Sequence, residues 1–180
     1  MDVAITGTPG VGKTSLGECL AVSGPVLSVR DLALEYGCAV PNVMGPLEIE
    51  VDISSLAALM AGHTAGLGSL VFIEGHLAHL LPAEIIIVLR LDPGELRSRL
   101  DGRGYPAEKL NENVEAEAVG VCLAEAVETG LPVAEVDATR KSSQALAGMV
   151  LDILRLYEAG EGFGTYSPGS VDWLEDVTWV

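Results

Sequence analysis

The segment Gly7-Thr8-Pro9-Gly10-Val11-Gly12-Lys13-Thr14 has the form GxxxxGK[ST], and no other stretch constrains the chain as strongly. Glycines let backbone N–H groups converge on an anion without obstruction by Cβ atoms. A lysine at the seventh position reaches β- and γ-phosphates, and the hydroxyl after it suits Mg²⁺. The helix that follows turns the positive end of its dipole toward the phosphates. The flanks agree with this reading: Val3-Ala4-Ile5 is a short apolar strand, and Ser15-Leu16-Gly17-Glu18-Cys19-Leu20 opens a helix. Strand, loop and helix in that order predict a nucleoside triphosphate site with Gly10, Val11, Gly12, Lys13, Thr14 and Ser15 around the phosphates.

Beyond the loop, apolar strand patterns at 3–6, 25–29, 70–73, 84–90 and 132–136 alternate with helical patterns at 14–22, 30–36, 54–62, 93–101, about 107–129 and 142–157. Ile85-Ile86-Ile87-Val88-Leu89 is continuous and β-branched, as a strand covered on both faces requires. In the last helix Leu146, Met149, Val150, Ile153 and Tyr157 form an apolar stripe at helical spacing. The alternation predicts an α/β fold, a parallel sheet sandwiched by helices in the manner of P-loop NTPases. One domain over 1–157 and a tail over 158–180 are expected. Residues 37–53, rich in Gly and Pro before the alternating Glu48-Ile49-Glu50-Val51-Asp52, and residues 102–112, with Gly102-Arg103-Gly104-Tyr105-Pro106, interrupt the scheme. They are the places for an acceptor-binding insert and a lid. Both tryptophans, Trp173 and Trp179, sit in the tail, which either packs on the core or meets a partner or ligand.

Composition narrows the partners. The net charge is −16, and the only lysines are Lys13, Lys109 and Lys141. Such a surface repels nucleic-acid backbones and anionic membranes, so general nucleic-acid binding and membrane association are not expected. The acidity serves either solubility, as in a salty cytosol, or attraction to a basic protein. The apolar runs are strand-sized, and a motif beginning at residue 7 leaves no expected leader, so a cytoplasmic location is predicted. Cys19, Cys38 and Cys122 are odd in number and scattered, and read as reduced, mostly buried thiols.

Further chemistry-bearing residues follow from position. Leu70-Val71-Phe72-Ile73-Glu74 is an apolar strand ending in a carboxylate, so Glu74 joins Thr14 as an expected Mg²⁺ ligand or holder of its waters. His76, two residues on, could orient a water or a phosphate, whereas His79 reads as structural. Seven arginines serve the whole chain and Arg97, Arg99 and Arg103 fall within seven positions. Arg99 and Arg103, four apart on one helical face, suit the charge that phosphoryl transfer spreads over equatorial oxygens. The loop Asp137-Ala138-Thr139-Arg140-Lys141-Ser142 follows the last strand, where such sheets line their ligand crevice; it is expected to pack on a nucleobase through Arg140, with Ser142 or Ser143 capping the next helix.

With the P-loop, Glu74-Gly75-His76, Arg103-Gly104-Tyr105 and Asn113-Val114-Glu115-Ala116-Glu117 assembled, the chain resembles the adenylate kinase isoenzyme six family of archaea and eukaryotes over residues 2 to about 157. The resemblance implies the nucleoside monophosphate kinase variety of the P-loop fold, with a short monophosphate-binding segment near 27–50 and a lid near 102–112. It implies a broad-specificity adenylate kinase, ATP + AMP ⇌ 2 ADP with Mg²⁺, that also hydrolyses ATP. A role in late maturation of the small ribosomal subunit, with small-subunit ribosomal protein eleven and the pre-small subunit as partners, comes with it. Lys13, Arg99, Arg103 and His76 would be its catalytic residues, with Arg103 as lid arginine and His76 as the motif histidine tied to hydrolysis and assembly. Two positions depart from the pattern. Glu74 stands where Asp is common, and the Gly-Asp-x-x-Arg motif of nucleotide kinases reads Arg30-Asp31-Leu32-Ala33-Leu34, with no arginine at position 34. An ATP-driven assembly factor with little kinase activity, or a kinase of a small metabolite, are the alternatives this leaves.

Overall fold

In a computed structural model, residues 1–41, 49–60, 64 and 66–174 are described. Strands β1 (Asp2–Thr6), β2 (Val26–Ser28), β5 (Val71–Glu74), β6 (Ile85–Arg90) and β7 (Val133–Asp137) form one sheet in the order β2-β5-β1-β6-β7. All neighbouring pairs run parallel; Ile5 lies opposite Glu74 on one side and Ile87 on the other. The side-chain period of two assigns the apolar run of β6 to both faces. Ile85, Ile87 and Leu89 pack with Leu16 and Leu20 of α1 (Lys13–Leu20), Leu96 and Leu100 of α4 (Pro93–Asp101), and Val150 and Ile153 of α7 (Ser143–Glu158). Ile86 and Val88 face the opposite layer, with Leu32 and Ala33 of α2 (Val29–Glu35), Leu56 and Met60 of α3 (Ile53–Met60), and Ala126 of α6 (Val121–Glu128). Each of the larger aliphatic side chains contributes about 1.5–3 kcal/mol on burial. The strand order makes β1 the central strand, and the two helical layers leave the carboxyl ends of the strands as the open crevice. The fold is that of the P-loop nucleoside monophosphate kinases.

Several elements differ from the sequence reading. The expected helix 107–129 is two helices, α5 (Ala107–Val119) and α6, joined at Gly120 with φ 72° and ψ 39°. A side chain there would be strained in that left-handed conformation, and its Cβ would lie 3.3–3.5 Å from the Arg90 guanidinium, so glycine both ends α5 and admits Arg90 beneath it. Of the segment 102–112, only 102–106 lies outside helices. Arg103 therefore follows the end of α4 at Asp101, and does not share a helical face with Arg99. The insert begins and ends as two short antiparallel strands, β3 (Ala39–Pro41) and β4 (Ile49–Val51); the part of the acceptor segment at 42–48 lies outside the described residues. Ser142 is the N-cap of α7, accepting from Ala145 N at 3.2 Å. Of the cysteines only Cys38 is fully buried, and none is in a disulfide. The tail turns back over β7: Ser170 N and Val171 N donate to Glu135 Oε2 at 2.8 and 3.2 Å. Trp173 is half-buried, and Trp179 lies outside the described residues.

Candidate active site

The loop after β1 takes its shape from its glycines. Gly7, Gly10 and Gly12 have φ of 137°, 100° and 112°. A Cβ on Gly7 would stand 2.4 Å from the Leu89 carbonyl oxygen, and one on Gly10 would stand 2.8 Å from Leu96 Cδ1. The loop is thus wedged between the end of β6 and α4, and only glycine fits where it touches them. Gly12 precedes α1 without a side-chain cap, so the first N–H groups of that helix are available to an anion.

Lys13 is buried, and its Nζ donates to the carbonyls of Gly7 (2.7 Å) and Thr8 (3.0 Å). Desolvation brings its pKa down to about 8, against the opposing pull of Cys122, Glu74 and Glu117. A phosphate placed beside it would restore the pKa, so triphosphate binding above pH 8 takes up a proton. Calorimetric titration with ATP at pH 8.5 in two buffers of different ionisation enthalpy is expected to show uptake of about 0.7 proton per site, falling to little at pH 6.5. Equal binding enthalpies in the two buffers at pH 8.5 would contradict the assignment.

Glu74 ends β5 beside the loop, and Thr14 Oγ1 lies 3.5 Å from its Oε2, long for a hydrogen bond. Burial raises the Glu74 pKa, while Lys13 and Thr14 draw it down. The two groups fit Mg²⁺ by donor type, being hard oxygens. Among the described residues no group of three or more His, Cys, Asp or Glu gathers into a metal cage, so Thr14 and Glu74 would share the ion with a nucleotide's phosphates.

His76 follows at the mouth of the site. Desolvation, reinforced by Lys13, His79 and Lys109, lowers its pKa from the usual 6.5 to about 4. The ring is neutral at pH 7. His79 is buried below it. Its Nδ1 lies 2.8 Å from Thr6 Oγ1, and its Nε2 lies 3.2 Å from Glu125 Oε2, off the axis of a well-aligned hydrogen bond. Burial lowers its pKa more than Glu125 raises it. The Thr6 hydroxyl also donates to the His76 carbonyl at 3.0 Å, so Thr6 ties His79 to the turn that carries His76, a supporting role for His79.

The cationic side chains gather on the other flank of the loop. Arg99 Nη1 donates to the Val11 carbonyl at 3.2 Å, and its Nη2 pairs with Glu95 at 2.6 Å. Arg103 is exposed and makes no side-chain hydrogen bond or ion pair among the described residues. Both line a cavity of about 260 Å³ with Gly12, Ser15, Ala138 and Lys141. Three of the chain's ten basic residues thus face one cavity beside the P-loop, in a protein of net charge −16. Arg140, the residue expected against a nucleobase, is exposed with φ 55° and does not line it; its neighbour Lys141 does, held by Asp137 at 3.0 Å. A larger cavity of about 450 Å³ lies between β7, α7 and the tail, with Glu135, Asp137 and Asp172 in its wall. Its carboxylates repel phosphates, so the smaller, cationic cavity is the nucleotide candidate.

Sequence reasoning left one group without a role. Arg90, Glu117 and Glu135 form a buried ion-pair cluster behind the loop, with Arg90 Nε 2.9 Å from Glu117 and Nη1 2.7 Å from Glu135. The available signals were Arg90 closing one apolar strand pattern and Glu135 interrupting another; Glu117, in a helix with several other glutamates, gave none.

Comparison with known proteins bears on the family. A family model described as AAA domain matches residues 3–120. A protein of Archaeoglobus fulgidus described as "Putative adenylate kinase" is 42% identical over 178 residues, 98% of this chain and 94% of its own length. One of Methanothermobacter thermautotrophicus with the same description is 40% identical, covering 96% of this chain and 98% of its own. Among solved structures, a shikimate kinase from Acinetobacter baumannii superposes with a TM-score of 0.62 at 15% identity, over 87% of this chain and 94% of its own. A thymidylate kinase from Candida albicans gives 0.56 at 12%, over 89% and 93%. The structures share the fold; the sequence relatives, alike over nearly their whole length, establish that the chain belongs to the adenylate-kinase-like family of P-loop proteins.

Proposed function

We infer that this protein is a nucleoside monophosphate kinase of the adenylate kinase type, catalysing ATP·Mg²⁺ + AMP ⇌ 2 ADP and also hydrolysing ATP. The observation that carries this reading is the convergence of Arg99, Arg103 and Lys141 on the cavity beside the P-loop. Gly10, Val11, Gly12, Lys13, Thr14 and Ser15 hold the donor phosphates. Mg²⁺, shared by Thr14 and Glu74 with the nucleotide, supplies neutralisation of charge on the β- and γ-phosphates. Arg99, fixed by Val11 and Glu95, lies against the donor side, and the uncommitted Arg103 closes on the transferred group. The acceptor is already a phosphate oxyanion and needs no general base, so positioning and charge neutralisation suffice. Lys141 would border the nucleobase, with Arg140 on the same loop outside the cavity wall. On this reading the protein works in the cytoplasm, where ATP and AMP are available.

A second reading is favoured by one observation. Leu34, in the position where nucleotide kinases carry an arginine for the monophosphate, is 53% exposed on α2 and offers no charge. An ATP-driven assembly factor needs no such acceptor group. There the neutral His76 would orient a water, and the acidic surface would meet a basic partner such as small-subunit ribosomal protein eleven on the pre-small subunit. Product analysis with Mg²⁺·ATP, with and without AMP, separates the two. The kinase reading expects ADP in AMP-dependent excess over free phosphate, and Arg103→Ala to lower that flux by roughly 10³-fold. Phosphate release indifferent to AMP would replace it with the assembly-factor reading.

A further inference from the structure

Glu117 stands 109 residues from Thr8 in sequence, yet Thr8 Oγ1 donates to its Oε2 in the interior. The other oxygen, Oε1, accepts from Arg90 Nε and from Leu91 N, each at 2.9 Å. Arg90 Nη2 donates to the Glu117 backbone carbonyl at 2.8 Å, and Nη1 to Glu135 at 2.7 Å. Every one of these partners of the carboxylate is a donor, so it is held as an acceptor-only anion. At 1% exposure it cannot touch a nucleotide; its hydrogen-bonded link to the P-loop is the Thr8 hydroxyl, beside the attraction of its charge for Lys13.

What Thr8 controls is the lysine. The Thr8 and Gly7 carbonyls take two of the three N–H groups of the Lys13 ammonium, leaving the third for a phosphate oxygen. The direction of that third N–H depends on where the Thr8 carbonyl stands. Glycines at 7, 10 and 12 give the loop little stiffness of its own. Thr8 is tied by its side chain to a rigid ion-pair cluster anchored on β6, α5 and β7.

We propose that Glu117 is a positioning residue for the P-loop lysine: through the Thr8 hydroxyl it fixes the Thr8 carbonyl, and with it the aim of Lys13 at the nucleotide's phosphates. This rests on the reading of the loop as a nucleoside triphosphate site. It assigns a role to the last residue of Asn113-Val114-Glu115-Ala116-Glu117, which the nucleotide chemistry itself leaves unused.

The test compares Thr8→Val, which keeps the shape and loses the hydroxyl, with Thr8→Ser, which keeps the hydroxyl, and with Glu117→Gln. Fluorescent N-methylanthraniloyl-ATP is titrated with Mg²⁺ onto full-length protein that circular dichroism shows to be folded, and ATP turnover is measured alongside. Thr8→Val is expected to raise the Kd of the analogue about tenfold and to slow turnover by a similar factor. Thr8→Ser should return both to within about twofold of wild type, and Glu117→Gln should add less than twofold to the Kd once Thr8→Val is present. Wild-type affinity and turnover in Thr8→Val would overturn the proposal, as would a Thr8→Ser variant as impaired as Thr8→Val. Should Glu117→Gln fail to fold, the two Thr8 variants decide alone. Failure of the wild-type protein to bind the analogue would overturn the nucleotide reading and this inference with it. Tight wild-type binding that Thr8→Val leaves unchanged overturns this inference only.

Discussion

Lys13→Ala is expected to lower product formation by ~10³-fold or more while leaving a folded protein. The catalytic loss follows from removing the loop's one buried ammonium, whose third N–H has no partner among the described residues and faces the crevice by default. The stability change is small because two effects oppose each other. Two charge-assisted hydrogen bonds to the Gly7 and Thr8 carbonyls disappear, worth about 1.5–3 kcal/mol each. Against that, the cost of burying the ammonium disappears as well. A pKa of about 8 against an ordinary 10.5 shows desolvation outweighing the attraction of the nearby acidic groups. A base with a depressed folded pKa disfavours the fold most below pH 8, and less as pH rises from 8 toward 10.5. The wild-type protein should therefore gain stability over that window, and Lys13→Ala should lose that gain. Turnover assays and denaturant unfolding at pH 7 and pH 9 check both halves; near-normal activity in the variant would sink the assignment of the site.

Arg90→Ala is the counterpart in stability. It leaves Glu117 and Glu135, both about 1% exposed, without the guanidinium that lies 2.9 and 2.7 Å from them. Removing one partner from a buried pair costs about 3–5 kcal/mol, since an uncompensated charge stays behind. For a chain of this size that is a fall in Tm on the order of 10 °C. Burial already raises the Glu117 pKa, and Arg90 is the largest influence opposing it, so in the variant the shift grows. A carboxyl with a raised folded pKa disfavours the fold above that pKa, and the penalty vanishes below the unfolded value near 4.5. The deficit of Arg90→Ala should accordingly be greatest at pH 7 and shrink toward pH 5, and urea unfolding at the two values measures it. A loss under about 1 kcal/mol at pH 7 would mean that the carboxylates find other partners, and that the cluster is not the rigid anchor described above.

Much of the site was legible because its residues announce themselves locally. The P-loop is contiguous, its spacing is set by one phosphate-sized turn, and its neighbours are the strand and helix that any such loop needs. The place of Glu74 beside Thr14 was legible for a related reason: a carboxylate closing an apolar strand stands at the strand's carboxyl end, next to the loop. The apolar run Ile85–Leu89 of β6 predicted a strand inside the sheet, and its two faces indeed meet different helical layers. Where local pattern misled, a long-range contact explains it. The helical pattern across 107–129 gave no hint that Gly120 would end a helix, because what occupies the space of a Cβ there is the Arg90 guanidinium, 30 residues away. The helical spacing of Arg99 and Arg103 failed as geometry since α4 stops at Asp101, although both arginines still reach one cavity.

By itself the sequence determined the fold class, the order of strand and helix, and the loop with the phosphate-binding signature, since these rest on period, propensity and contiguous spacing. Only the tertiary structure decided which charges act together: Lys141 and not Arg140 beside Arg103, Arg99 fastened to the loop backbone, and Thr8 bonded to Glu117. Those pairings join residues 38 (Arg103 and Lys141), 88 (Arg99 and Val11) and 109 (Thr8 and Glu117) positions apart. Burial, which makes an unpaired polar group costly and a paired one rigid, exists only once the sheet has brought them face to face.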